Sequence, residues 1–453
     1  MSKRFILILL SLFFLSQCDC DETCKMVQPT PPAPLVPEVP YFFNETYQVI
    51  ELDPSTGARC LDGSNYKFSF TKGSGSGSDK FFFSWQGGAF CGIDGYDTLE
   101  SCYYRSSTPL GSSTFLPENN SYYSLNFSMG YFSNMQEYNS DFWNWNKISI
   151  NYCDGSNHQG HLDDPLEYNG TKLWFRGFDN TYAILQYGRE NWGLFEASEV
   201  IVSGGSAGGQ ATYYWSNFLS TYFPSNVKLM GIPDAGMFLD VYNIETDCHL
   251  FRYLNHKVSN LTKSAESQLF KPCKYFGTDD VWKCMIAEYI LEDIQIPMFL
   301  INSQDDYEAM RTQYGVSCIV EDPTTCSDED RTRISEFRNK FLGIALDIKE
   351  KKLKWGFWLR TCFEHVYQGT WAWYGESKNV FNSDLGVSRS LKEALHEWYN
   401  EGNIRDASIS HYIDVDDWEH NKNCHYNQTM MVEGEKIKIE EGFLEVKTTK
   451  KPL

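Results

Sequence analysis

The chain has 453 residues, 60 Asp and Glu against 39 Lys and Arg, and a formal net charge of −21 at pH 7. With 42 % apolar and 16 % aromatic residues it holds enough core-forming material to exclude wholesale disorder. The acidity argues against a nucleic-acid binder and against docking on an anionic membrane face, because both need a basic footprint.

Lys3 and Arg4 precede an apolar run over residues 5–15, followed by small and polar residues at 16–19. Such a run is shorter than the ~20 residues of a membrane span, so residues 1–20 read as a secretory signal cut after Cys18 or Cys20, with an anchor as the competing reading. Fourteen cysteines without paired CxxC spacing favour disulfides in an oxidising compartment over zinc. Six N-x-S/T sequons, at Asn44, Asn119, Asn126, Asn169, Asn260 and Asn427, are glycosylation candidates. The expected location is secreted or lumenal, either extracellular or in an acidic vesicle.

Six prolines in the twelve residues 29–40 mark an extended leader, assigned to residues 21–57. Beyond it, short apolar strands are expected at 66–71, 81–85, 172–175, 199–202, 228–232, 298–301 and 355–359. Helices are expected at 181–187, 210–223, 331–348 and 390–399. Length alone suggests two or three domains, but this alternation shows no repeat and no shift of composition. It reads as one α/β domain over residues 58–430, a mostly parallel sheet with helices on both faces, followed by a charged tail at 431–453.

The sharpest local signal is Val200-Ile-Val-Ser-Gly-Gly-Ser-Ala-Gly-Gly-Gln210, an apolar strand, a G-x-S-x-G turn and the start of a helix. A nucleophile on such an elbow needs small neighbours, because the turn leaves no room for side chains. Ser206 is therefore the candidate nucleophile, and the Ala207 N–H, at the helix N-terminus, is the candidate oxyanion donor. A glycine-rich phosphate turn is the competing reading, but the lysine of a P-loop is missing.

A serine hydroxyl needs a base, and the base needs an orienting carboxylate. In this fold class both partners come from the ends of later strands, in the order Ser, Asp, His. The apolar run at 296–302 leads into Asp305 and Asp306, and the strand at 355–359 is followed by His365. His396 falls in a helix, and His411, His420 and His425 in a polar stretch, so His365 is the strongest candidate base. A second oxyanion donor is expected from the turn Gly87-Gly88, directly after an aromatic strand. His158 and His161, followed by Asp163 and Asp164, sit in a glycine-broken loop that lacks the i, i+4 spacing of a helical zinc pair. No metal or cofactor is expected there. Asp234 follows the strand after the nucleophile helix and reads as a structural carboxylate.

Taken in order, Cys60-Leu-Asp-Gly-Ser64, Gly87-Gly-Ala-Phe-Cys91, Leu110-Gly-Ser-Ser113, Tyr152-Cys-Asp-Gly155, Phe175-Arg-Gly177, Gly205-Ser-Ala-Gly-Gly209, Pro233-Asp-Ala-Gly236, Asn302-Ser-Gln-Asp-Asp306 and Cys362-Phe-Glu-His365 resemble the landmarks of the pectin acetylesterase/Notum family. The resemblance covers roughly residues 58–400. It implies a secreted, monomeric serine carboxylesterase with an α/β-hydrolase-like fold, no cofactor, and an acylated polysaccharide or acylated protein as substrate. By position, Ser206 matches the nucleophile, His365 the base and Asp306 the acid, with Asp305 as the adjacent rival. The oxyanion donors would be the backbone N–H groups of Ala89, Phe90 and Ala207. The substrate implied first is an acetylated, pectin-like polysaccharide; the alternatives are a palmitoleoyl ester on a protein and a non-catalytic member. The family usually has a third glycine and a tryptophan where this chain has Ala89 and Phe90, and a positive φ at Ala89 would strain the turn.

Overall fold

The computed structural model describes Cys24 and residues 46–445, apart from 96, 125–129, 322, 368–372, 374–378, 403–409, 422–423, 425–428, 433–434 and 441–442. The signal expected at 1–20 lies outside the described residues.

Ten strands build the central sheet: β1 (Thr46–Glu51), β2 (Lys67–Thr71), β3 (Lys80–Trp85), β4 (Tyr122–Ser124), β5 (Asn146–Ile150), β6 (Glu199–Gly205), β7 (Lys228–Asp234), β8 (Phe299–Ser303), β9 (Gly356–Arg360) and β10 (His411–Ile413). Their spatial order is β10-β9-β8-β7-β6-β3-β5-β2-β1-β4. From β10 across to β5 every pair is parallel, and β2, β1 and β4 are added antiparallel. The chain moves outward from β3 to β5 in one direction and from β6 to β10 in the other. The strand ends of β3 and β6 therefore flank a point where the order reverses, which is where open α/β sheets form clefts.

The strands are apolar at almost every position because helices cover both faces. Phe81, Phe83, Trp85, Val200, Val202, Leu300, Phe357 and Leu359 face one core. The intervening Phe82, Ile201, Ile301 and Trp358 face the other, as the two-residue period of a strand requires. The first core is closed by α2 (Gly177–Asn191), α3 (Ala207–Tyr222) and α5 (Asp328–Lys351), the second by α6 (Leu391–Glu397). The α5 helix begins at Asp328 rather than 331 because Ser327 and Asp330 form a reciprocal capping box. Two further helices, α1 (Thr98–Arg105) and α4 (Leu250–Leu261), carry no expectation from the sequence.

Several expectations are corrected. The leader assigned to 21–57 contains β1, which pairs with β2 through Gln48–Phe70 to Glu51–Lys67, so the sheet begins at residue 46. The strand expected at 172–175 is a short hairpin, Leu166–Tyr168 with Thr171–Leu173, outside the main sheet. Near the C-terminus, the backbone strands Thr429–Val432, Glu435–Glu440 and Phe443–Glu445 form a separate sheet. Disulfides join Cys24–Cys248, Cys60–Cys153, Cys91–Cys102, Cys273–Cys284, Cys318–Cys326 and Cys362–Cys424. Among the described residues, no helix is long and apolar enough to cross a membrane.

Candidate active site

Ser206 joins β6 to α3 with φ +57° and ψ −121°, a backbone region that non-glycine residues rarely occupy. The glycines around it are obligatory. A Cβ on Gly204 would lie 2.5 Å from the Gly208 backbone, and one on Gly208 would lie 2.0 Å from the Trp85 carbonyl oxygen. The Ser206 N–H is held by the Asp234 carbonyl at 2.9 Å. Ala207 opens α3, so its N–H belongs to the unsatisfied first turn of a helix.

The strand ends of β8 and β9 bring the other two groups together. The Gln304 N–H donates to the Arg360 carbonyl at 2.7 Å, locking the two strand ends side by side. Asp306 then caps the short helix Tyr307–Ala309, accepting the N–H groups of Glu308 and Ala309 at 3.0 and 3.1 Å. The same carboxylate meets His365 Nδ1 with its two oxygens at 2.9 and 2.8 Å. Burial disfavours the charged imidazole, but the charge and hydrogen bond of Asp306, with smaller contributions from Glu308 and Asp234, hold the His365 pKa above its ordinary value. The Phe238 and Tyr307 rings flank the imidazole at 6.3 and 5.9 Å.

The residue after His365 packs against the serine elbow. Val366 adopts φ +60°, an outlier for a β-branched residue. Its side chain packs where a Cβ on Gly205 would fall, 2.8 Å from Val366 Cγ1. Asp234, buried, accepts the Tyr367 N–H at 2.8 Å. Asp234 thus holds the backbone on both sides of the site, by its carbonyl at Ser206 and by its carboxylate just after His365. Asp305 points elsewhere. It is fully buried and, among the described residues, neither carboxylate oxygen has a hydrogen-bond partner. Burial pushes its pKa up to about 7, with Arg338 opposing and Asp417 and Asp414 adding.

The turn after β3 lies against the nucleophile. A Cβ on Gly87 would lie 2.6 Å from the Gly205 carbonyl oxygen and 3.1 Å from Ser206 Cβ. Ala89 has φ +53°, so alanine sits in the left-handed conformation that suits glycine. Phe90 is buried against Phe251, with ring centroids 5.9 Å apart, and Phe251 against Phe238 at 5.3 Å. The aromatic chain so runs from the turn to His365.

The remaining candidates go elsewhere. His158 is buried with Nε2 2.8 Å from the Gln86 carbonyl oxygen, immediately before the turn. His161 pairs with Asp179 at 3.1 Å, and Asp163 with Arg176 at 2.9 Å; Asp164 is exposed. Among the described residues no group of three or more His, Cys, Asp or Glu is arranged to hold a metal. His396, on α6, meets Asp141, and His420 meets Asp417. His411 lies on β10, with Nε2 3.1 Å from the Trp355 carbonyl oxygen. His425 lies outside the described residues, as do Asn44, Asn126 and Asn427, whereas Asn119, Asn169 and Asn260 are exposed. Sequence reasoning missed α1 and its last residue, Arg105, whose guanidinium reaches the Gly88 carbonyl; the Arg lies at no recognisable motif, and only its distance in space reveals it.

Comparison with known proteins gives the family and the fold. The profile of the Pectinacetylesterase family matches residues 43–425. Pectin acetylesterase 5 of Arabidopsis thaliana is 28 % identical over 357 residues, covering 76 % of this chain and 77 % of the relative. Pectin acetylesterase 4 of the same plant is 33 % identical over 251 residues, 55 % of this chain and 57 % of the relative. The palmitoleoyl-protein carboxylesterase Notum of Schmidtea mediterranea is 24 % identical over 277 residues, 57 % of this chain and 48 % of the relative. The fold is shared with a crystal structure of the Wnt deacylase Notum from Drosophila, with a TM-score of 0.65 at 19 % identity over 84 % of this chain and 100 % of that one. With a family match across most of its length, the chain belongs to the pectinacetylesterase family of carboxylic-ester hydrolases.

Proposed function

We propose that the chain is a serine esterase in which Ser206 attacks an ester carbonyl, His365 takes the serine proton, and Asp306 orients the imidazole. The observation that carries this reading is the His365–Asp306 pair, at 2.8 and 2.9 Å, joined through Val366 and Gly205 to a strained serine elbow. Because Nδ1 is committed to Asp306, Nε2 is the nitrogen left to accept the serine proton. Attack forms a tetrahedral oxyanion that the N–H groups of Ala89, Phe90 and Ala207 are suited to receive. His365 then returns its proton to the departing alcohol, leaving an acyl-serine. Water, deprotonated by the same imidazole, attacks that ester, and the serine proton is restored as the carboxylic acid leaves.

The substrate class favoured is an O-acetylated, pectin-like polysaccharide. The family's curated plant relatives carry the name pectin acetylesterase. The buried Phe90, Phe251 and Phe238 rings form an apolar run from the turn to His365 that could face an acyl group. A net charge of −21 repels de-esterified pectin, so esterified stretches suit it better. A His365 pKa above the ordinary value keeps the base protonated in acid, so activity should fall off toward low pH.

A fluorophosphonate probe should label Ser206 in the wild-type chain and leave Ser206→Ala unlabelled. The same substitution should lower hydrolysis of p-nitrophenyl acetate by more than about 10³-fold. Wild-type hydrolysis by Ser206→Ala would sink the serine mechanism. Acetate should outperform octanoate as the p-nitrophenyl ester; a clear octanoate preference replaces the acetyl reading with a lipid-ester one.

A further inference from the structure

We propose that Arg105 and His158 are positioning residues for ester hydrolysis, gripping alternate carbonyls of the turn between Gln86 and Phe90 so that its N–H groups face Ser206. The inference rests on the serine-esterase reading above and assigns a cause to the geometry of its oxyanion donors.

The backbone is anchored on either side of the turn, with the Gln86 N–H on the Ile150 carbonyl at 3.1 Å and the Cys91 N–H on the Gly155 carbonyl at 3.0 Å. Between them, the N–H groups of residues 87 to 90 have no acceptor among the described residues. Consecutive unengaged donors form an anion-binding concavity. Their carbonyls are treated differently. Arg105 Nη2 donates to the Gly88 oxygen at 2.7 Å, and His158 Nε2 lies 2.8 Å from the Gln86 oxygen. A carbonyl can only accept, so His158 carries its proton on Nε2 there. Burial lowers the pKa of that imidazole, against the pull of Asp154, which keeps it neutral in the working range.

A trans peptide is planar, with its C=O and N–H pointing in opposite directions. Holding the Gly88 oxygen toward Arg105 therefore turns the Ala89 N–H away from Arg105, and holding the Gln86 oxygen toward His158 does the same for the Gly87 N–H. The two sides of the turn are distinct. A Cβ on Gly88 would strike Leu110 at 2.8 Å, on the side where Arg105 Nε also donates to the Leu110 carbonyl at 3.1 Å. A Cβ on Gly87 would instead approach Ser206 Cβ, at 3.1 Å. Gly88 thus faces Leu110, next to Arg105, while Gly87 faces the nucleophile. A charged donor on the Gly88 oxygen also polarises the Ala89 N–H, making it a stronger donor.

The grip is braced. The Arg105 guanidinium lies 4.7 Å over the Tyr152 ring, and that ring packs 4.4 Å from the His158 ring. The Tyr152 N–H donates to Gln86 Oε1 at 3.0 Å. The Cys91–Cys102 disulfide ties the end of the turn to α1, the helix that ends on Arg105. The brace also explains how Ala89 is kept at φ +53°, since strain of this kind persists only where the surroundings impose it.

Arg105→Met, Arg105→Lys and His158→Gln test the proposal with p-nitrophenyl acetate and with an alkyl trifluoromethyl ketone, which binds serine esterases as a tetrahedral oxyanion adduct. Loss of one oxyanion donor costs about 10²–10³-fold in kcat. Arg105→Met should thus lower kcat by about 10²-fold with KM within a few-fold, and weaken the ketone in proportion. Arg105→Lys should fall between Met and wild type, because a point cation can still reach one carbonyl. His158→Gln keeps a donor and should lose less than about tenfold in kcat. Should Arg105→Met fail to fold, Arg105→Lys at wild-type Tm carries the test, and unchanged kcat and ketone affinity there overturn the proposal. A rise in KM at constant kcat overturns it too. Ser206→Ala run alongside separates the two claims: a dead Ser206→Ala with an unimpaired Arg105→Met refutes only the positioning role, whereas an active Ser206→Ala refutes the esterase reading beneath it.

Discussion

Asp306→Asn replaces the carboxylate that meets His365 Nδ1 with both oxygens, at 2.9 and 2.8 Å. The amide keeps one oxygen to cap Tyr307–Ala309, which now accepts from Glu308 and Ala309. Fold and cap therefore survive. The cap oxygen is directed to the helix, so the amide NH₂ faces the imidazole, and a donor opposite Nδ1 selects the tautomer with its proton on Nε2. That tautomer cannot accept the Ser206 proton. In serine hydrolases the equivalent change lowers kcat by about 10⁴-fold, or ~5 kcal/mol of transition-state stabilisation, and the same loss is expected here. The pH profile moves as well. In the wild type, Asp306 overcomes burial and raises the His365 pKa above its ordinary value near 6.5; only the neutral base works, so the acid limb of kcat/KM lies above that pH. Without the carboxylate, burial dominates and the limb moves below it. Stability follows the same sign. A raised histidine pKa stabilises the fold below the unfolded value, and that contribution is lost as pH rises through the folded one, so Asp306→Asn should lose stability mainly on the acidic side. The assay is p-nitrophenyl acetate hydrolysis from pH 4 to 9, with Asp305→Asn in parallel. Residual activity above a tenth of wild type, an acid limb that stays in place, or a larger loss in Asp305→Asn refutes the reasoning.

Asp305 titrates in the opposite sense from most carboxylates. Its folded pKa is pushed up to about 7, so between its unfolded value near 3.9 and about 7 the folded chain holds a proton the unfolded chain has lost. Stability must fall as pH rises across that window. Asp305→Asn removes the ionisation and should raise stability at pH 8 by up to about 4 kcal/mol, at ~1.4 kcal/mol per pKa unit, with no gain at pH 4. Denaturant midpoints at the two pH values measure it, and equal shifts at both count against the buried-acid account. Ala89→Gly relieves an alanine held at φ +53° and should stabilise the chain by about 1 kcal/mol, less the entropy glycine adds to the unfolded state. A lowered urea midpoint would show that the Ala89 methyl makes a contact worth more than the strain.

The local patterns were legible because each is enforced by short-range physics. Two-sided burial makes the strands at 81–85, 199–202 and 298–301 almost wholly apolar, and a tight strand–helix turn demands the glycines around Ser206. No such apolar run marks β10, a three-residue edge strand, or β1, which reads TYQVIE and mixes polar with apolar residues between β2 and β4. The choice between Asp305 and Asp306 is a matter of where a chain leaving β8 points its side chains. β9, 50 residues on, sets His365 against Asp306 and not Asp305.

Chain order and residue type by themselves determined an acidic, cysteine-rich α/β chain with a serine elbow and an ordered set of partners for it. Tertiary structure decided which aspartate meets the histidine, that Asp234 is scaffold, that Ala89 is strained, and that Arg105 and His158 reach the turn from segments 15 and 68 residues beyond Phe90. The physical reason is that elbows, caps and apolar strands are set by neighbours a few residues away. The hydrogen bonds that hold this turn join groups far apart in sequence, and no local pattern encodes them.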